Sequence, residues 1–217
     1  MISHKYKFIF FHVPKAAGTS IIKSFKYHLK DDVMINEDDH ELTKWLKETD
    51  IIWPNHIPPS YMYYYLNPKS IFNEYFKFAF VRHPYDLLIS MYHYAKQKEA
   101  NIYKISKIKI PDFTKNILES KSFSDWIKTK NFGSPQYDFL RNETGIMVDY
   151  IGKTENIQND INHICRTLKL PFDIILNHDN RSSHKSWDEY LSKESEELIY
   201  SVFQKDFTTF NYNRINL

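Results

Sequence analysis

The chain has 217 residues with 29 basic and 27 acidic side chains, a formal charge of +2, so it lacks the basic excess of a bulk nucleic-acid binder. Its length suits one sizeable core, and its single cysteine, Cys165, excludes an internal disulfide and a cysteine-built zinc site. The ten histidines show no HExxH or comparable metal spacing, and the apolar run 8–11 is too short for a signal-peptide core or a membrane span, so the expectation is a cytoplasmic protein with no metal and no integral membrane segment.

Residues 6–12 are short, aromatic and bounded by Pro14, as a buried strand is. From Thr19, the positions Ile21, Ile22, Phe25 and Leu29 follow helical spacing. Residues 31–40 are polar and acidic, a surface connection; 50–53 read as a second strand, cut by Pro54 and followed by His56 and a Pro58-Pro59 turn. The clearest buried strand is 76–81. It leads into Arg82-His83-Pro84, where Pro84 suits the first position of a helix carrying Leu87, Leu88, Met91, Tyr92 and Ala95. An irregular Lys- and Ile-rich insertion is expected around 100–121, then a short helix over 124–130. Residues 147–151 read as a strand ended by Gly152, and Ile157, Ile161, Ile164, Cys165 and Leu168 give a strong helical face. A polar loop, 178–185, precedes a last helix with Leu198, Ile199, Val202 and Phe203. Strands alternating with helices predict an α/β fold with a mainly parallel sheet, in a single domain over 1–217.

Two stretches carry chemistry. "HVPKAAGTS" (12–20) places a turn between a strand end and a helix start, where backbone N–H groups and the helix dipole favour an anion. Glycine is scarce, with four in the chain; Gly18 would let the backbone approach a ligand, Thr19 and Ser20 add hydroxyls, and Lys15 adds a charge. The Walker spelling does not fit, because its lysine follows the glycine, and no GxGxxG is present. Taken alone, the loop suits an ordinary β–α turn equally well. In "FAFVRHPYDLLISMY" (78–92), Arg82 stands at a strand end as a fork of donors for a phosphate, and Ser90 lies eight residues on in the following helix.

Together these stretches resemble the carbohydrate sulfotransferases, in particular those with "PKxAGTS" and "VRxPYDxxxS" motifs. "YIGKTEN" (150–156), "SPQYDFL" (134–140) and the closing "DFTTFNY" (206–212) are similar to further family segments, so the likeness spans nearly the whole chain. His83 and Leu87 depart from it, since the family often has Asn or Asp and Arg there. The resemblance implies a three-layer, P-loop-NTPase-like fold and the donor 3′-phosphoadenosine 5′-phosphosulfate (PAPS), with adenosine 3′,5′-bisphosphate (PAP) as product. It implies that Lys15, Ala16, Ala17, Gly18, Thr19 and Ser20 line the 5′-phosphosulfate loop, and that Arg82 and Ser90 hold the 3′-phosphate. The implied acceptor is a hydroxyl of a carbohydrate or glycoconjugate, as in surface-polysaccharide biosynthesis.

Sulfuryl transfer builds charge on the bridging oxygen of the donor, and a lysine aimed there stabilises the transition state more than the ground state. Lys15 is the expected catalytic cation. A hydroxyl acceptor also needs a base. His56, in a segment similar to the family's "GHxP", is the first candidate, ahead of His12 and His184. Arg181 and Ser182, with Ser183, stand in a polar loop that suits closing over the nucleotide and suits a merely solvated loop equally well, and Lys153 stands at a strand end, where a surface lysine is the default and facing the cofactor the alternative. An ATP-dependent kinase and a non-catalytic nucleotide- or glycan-binding protein are the competing readings.

Overall fold

A computed structural model describes residues 1–29, 56–66, 68–99, 110–176 and 187–217. Along the chain the elements begin with β1 (Ile2–Ser3), β2 (Phe8–Phe11), α1 (Gly18–Leu29), α2 (Pro59–Tyr65), α3 (Ser70–Glu74) and β3 (Phe76–Val81). Next come α4 (Pro84–Tyr94), a π-helical turn over Ala95–Glu99, α5 (Asp112–Glu119), α6 (Phe123–Lys128) and α7 (Gln136–Leu140). A small hairpin, β4 (Arg141–Asn142) and β5 (Gly145–Ile146), precedes β6 (Tyr150–Lys153), α8 (Ile157–Thr167) and α9 (Lys193–Thr209). The chain divides into two compact units, one within 1–82 and 138–181, the other within 83–137 and 182–217. No helix among the described residues is long and apolar enough to cross a membrane.

The first unit is built on a four-stranded sheet in the order β1-β2-β3-β6, with β1 antiparallel and the other three parallel. Phe8 lies opposite Phe76 and Phe10 opposite Phe78 in the β2–β3 register. The rings of Phe8, Phe10 and Phe78 cluster with one another and with Phe25 of α1, with neighbouring centroids 5.2 to 5.9 Å apart. On the other face Phe11 meets Phe72 of α3. Helices therefore cover both faces, which explains why "FIFF" and "FKFAFV" are nearly continuous apolar runs rather than alternating ones. Each such buried ring contributes about 2 kcal/mol of burial.

The second unit packs α4, α5, α6 and α9 around Tyr85, Leu87, Leu88, Trp126, Phe132, Phe203 and Phe207. Leu87, where an arginine is common in the resembling family, belongs to this core at 3% exposure. Buried Asp206 of α9 accepts from the amides of Gln136 and Tyr137 and from the Gln136 side chain, capping the start of α7. The "SPQYDFL" and "DFTTFNY" segments thus meet in one capping contact.

Four expectations change. The stretch 110–121 is not irregular throughout: Pro111 and Asp112 start α5, and Ile117 is buried from it, a helix that the flanking Lys/Ile alternation concealed. Pro59 does not make a turn but opens α2 as its first residue, where a missing N–H costs nothing. The last strand is shifted to Tyr150–Lys153, because Asp149 ties the chain to Lys77 of β3 just before it. Gly152 lies inside that strand, since an added Cβ would sit 2.5 Å from the Phe80 ring. The strand expected over 50–53 and the loop 178–185 lie outside the described residues.

Candidate active site

The three parallel strands end at one edge of the sheet, so His12 after β2, Arg82 after β3 and Thr154 after β6 all leave from that edge. This is the side on which open α/β sheets bind ligands. Lys153, the last residue of β6, is half-buried, and its amide donates to Asp160 at 2.7 Å.

Between β2 and α1, Lys15 and Ala17 both have a left-handed backbone, each with φ of 61°. Neither is glycine, so each holds strain of about 1 kcal/mol. Left-handed Ala17 followed by helical Gly18 makes the alternating backbone that turns successive N–H groups toward one concavity. Ser20 and Ile21 donate to the Ala17 carbonyl, while the amides of Gly18 and Thr19 stand at the helix start, where no preceding turn takes them.

Gly18 plays a part that the sequence did not reveal. A Cβ there would lie 1.8 Å from Cδ2 and 2.2 Å from Nε2 of His12. Its bare side makes room for the His12 imidazole. His12 in turn stacks on Phe10, 6.2 Å between ring centroids, and its Nδ1 is buried with no hydrogen-bond partner among the described residues.

His56, just before α2, comes back to this point across 44 residues. Its Nδ1 donates to the His12 carbonyl at 2.8 Å, and the two imidazoles lie 4.3 Å apart. That bond places the His56 proton on Nδ1 and leaves Nε2 as a lone-pair acceptor. Burial pushes the His56 pKa below its ordinary value; the bond to the His12 carbonyl opposes this, and the Lys15 ammonium adds to it. His12 is pushed down to about 3, first by burial, then by His56, the Met1 amino group and Lys15. Both rings are therefore neutral at pH 7.

The structure brings Lys15, Gly18, His12 and His56 together in the first unit. Arg82 is half-buried at the β3 exit, and Ser90 sits half-buried in the middle of α4, in the second unit. Arg181, Ser182 and His184 lie outside the described residues. His83 is buried at the N-cap of α4, where its Nδ1 accepts from the Tyr85 amide and its Nε2 donates to the Asn213 carbonyl at 3.0 Å. It thus does the capping that an Asn or Asp would do there.

Among known proteins, the chain is similar to an uncharacterized protein of Archaeoglobus fulgidus, 34% identical over 105 residues that cover 48% of this chain and 75% of that one. The model of the sulfotransferase family matches residues 1–213. By that match, which runs over both units, the chain belongs to the sulfotransferase family.

Proposed function

We propose that the chain transfers a sulfuryl group from PAPS to a hydroxyl of a carbohydrate or glycoconjugate, as one P-loop-like sulfotransferase domain over 1–217. The observation that carries this reading is the meeting of Lys15 with a neutral His56 whose free nitrogen is Nε2. A cation and a base within electrostatic reach of one another are the two groups an in-line transfer requires.

When bound, PAPS supplies a sulfuryl group on an anhydride oxygen. The loop over 15–20 would hold the 5′-phosphosulfate through its amides and the hydroxyls of Thr19 and Ser20, and the motif likeness proposes Arg82 and Ser90 for the 3′-phosphate. His56 Nε2 takes the proton of the acceptor hydroxyl as its oxygen forms a bond to sulfur. Lys15 would neutralise the electron pair left on the phosphate oxygen when the donor's sulfur–oxygen bond breaks. The products are the sulfate ester and PAP.

The test is thermal stability with PAP, ATP, AMP and NAD, followed by transfer of labelled sulfate from PAPS to a panel of glycosides. A ligand that binds only the native state raises its Tm. Selective stabilisation by PAP is expected; equal stabilisation by ATP would favour a kinase.

A further inference from the structure

Resting on the reading of His56 as the base, we propose that His12 is a positioning residue whose imidazole, wedged between Gly18 and His56, sets where the base lies relative to the donor loop. His12 has two attachments to the site. Its carbonyl accepts from His56 Nδ1 at 2.8 Å and so fixes the tautomer. Its ring lies 4.3 Å from the His56 ring and so close to Gly18 that no side chain fits between them. The loop that would hold the donor and the base that would activate the acceptor thus share a single spacer.

The choice of spacer matters chemically. A histidine base is commonly oriented by a carboxylate, which also raises its pKa. Here the orienting groups are a neutral carbonyl and a neutral ring. The charged or titratable groups acting on the two rings are Lys15 in the loop and the buried Met1 amino group at the head of β1, whose pKa burial lowers to about 5, together with the rings themselves; no carboxylate acts on either among the described residues. The bond to the His12 carbonyl raises the His56 pKa, but burial outweighs it, so His56 keeps an unprotonated nitrogen at neutral pH.

His12→Ala removes the ring but keeps the carbonyl. It should lower kcat by about 10- to 100-fold, the scale of a misplaced catalytic group, with little change in KM for PAPS. The acid limb of kcat/KM should move to higher pH, because a less buried His56 protonates more readily. Gly18→Ala, whose new Cβ would meet the ring, should lower kcat by a similar factor. In the His12→Ala background the Gly18 change should cost much less, so the two losses do not multiply. His12→Asn, read the same way, covers the case in which the alanine variant fails to fold. An unmoved acid limb, or losses that multiply, would overturn the positioning role. An acid limb that persists in His56→Ala would instead remove the base assignment beneath it.

Discussion

His12 and His83 occupy comparable places, each between the end of a parallel strand and the start of a helix, yet their surroundings are opposite. His83 uses both nitrogens, and the rings of Tyr85, Trp187, Phe207 and Tyr212 enclose it at 4.5 to 5.5 Å. The same second unit buries Glu196 between the Tyr85 hydroxyl and a two-pronged bond from Arg214, at 2.9 and 2.6 Å. Every one of these groups is matched. His12, by contrast, has a nitrogen with no partner among the described residues, a second imidazole against it and a lysine nearby. Buried polar groups that are fully paired hold a fold together, whereas a buried titratable group left incompletely paired is a candidate for a functional site. The second unit's network is paired as scaffolding is, and the first unit's cluster is the one to which the proposed chemistry belongs.

The contrast breaks first at His56. His56→Ala should cut transfer by about 100-fold or more, the usual worth of a general base, while leaving Tm and PAP binding nearly unchanged. Transfer at the parental rate would move the base elsewhere. In the parent, depression of the His56 pKa means the acid limb of kcat/KM falls below pH 6.5, the ordinary histidine value.

Glu196→Ala should do the reverse. It strands the Tyr85 hydroxyl in the core and should lower stability by about 2 kcal/mol in urea unfolding, with activity per folded molecule largely retained. Glu196 also has a lowered pKa, caused first by the Arg214 hydrogen bond. Its contribution is therefore complete above the ordinary value of 4.5 and is lost as the pH falls through the depressed folded value. The alanine variant should lack that acid loss; an unchanged acid profile would show that the pair contributes nothing. The smallest expected effect is at the loop: Ala17→Gly relieves left-handed strain and should raise stability by up to about 1 kcal/mol, read as a higher Tm.

Much of this organisation was legible because local chemistry enforced it. β3 and the start of α4 follow from a buried run and a proline at the first helical position, and α8 from its apolar spacing. Lys15 and His56 were legible as residue types suited to the reaction. Their convergence was not, because the bond from His56 to the His12 carbonyl spans 44 residues and leaves no local pattern. The close packing of His12 on Gly18 is equally hidden, because a sequence does not show that a histidine six residues earlier folds back over the glycine. α2 was hidden behind a Pro-Pro pair, and α5 behind a lysine-rich stretch, both of which resemble loops in composition.

The most direct measurement compares Lys15→Ala with the parent for both transfer from PAPS and thermal stabilisation by PAP. The variant should lose roughly 100-fold or more in kcat, as expected when a donor to developing charge is removed, while PAP still raises its Tm. Transfer by the variant at the parental rate would contradict the account.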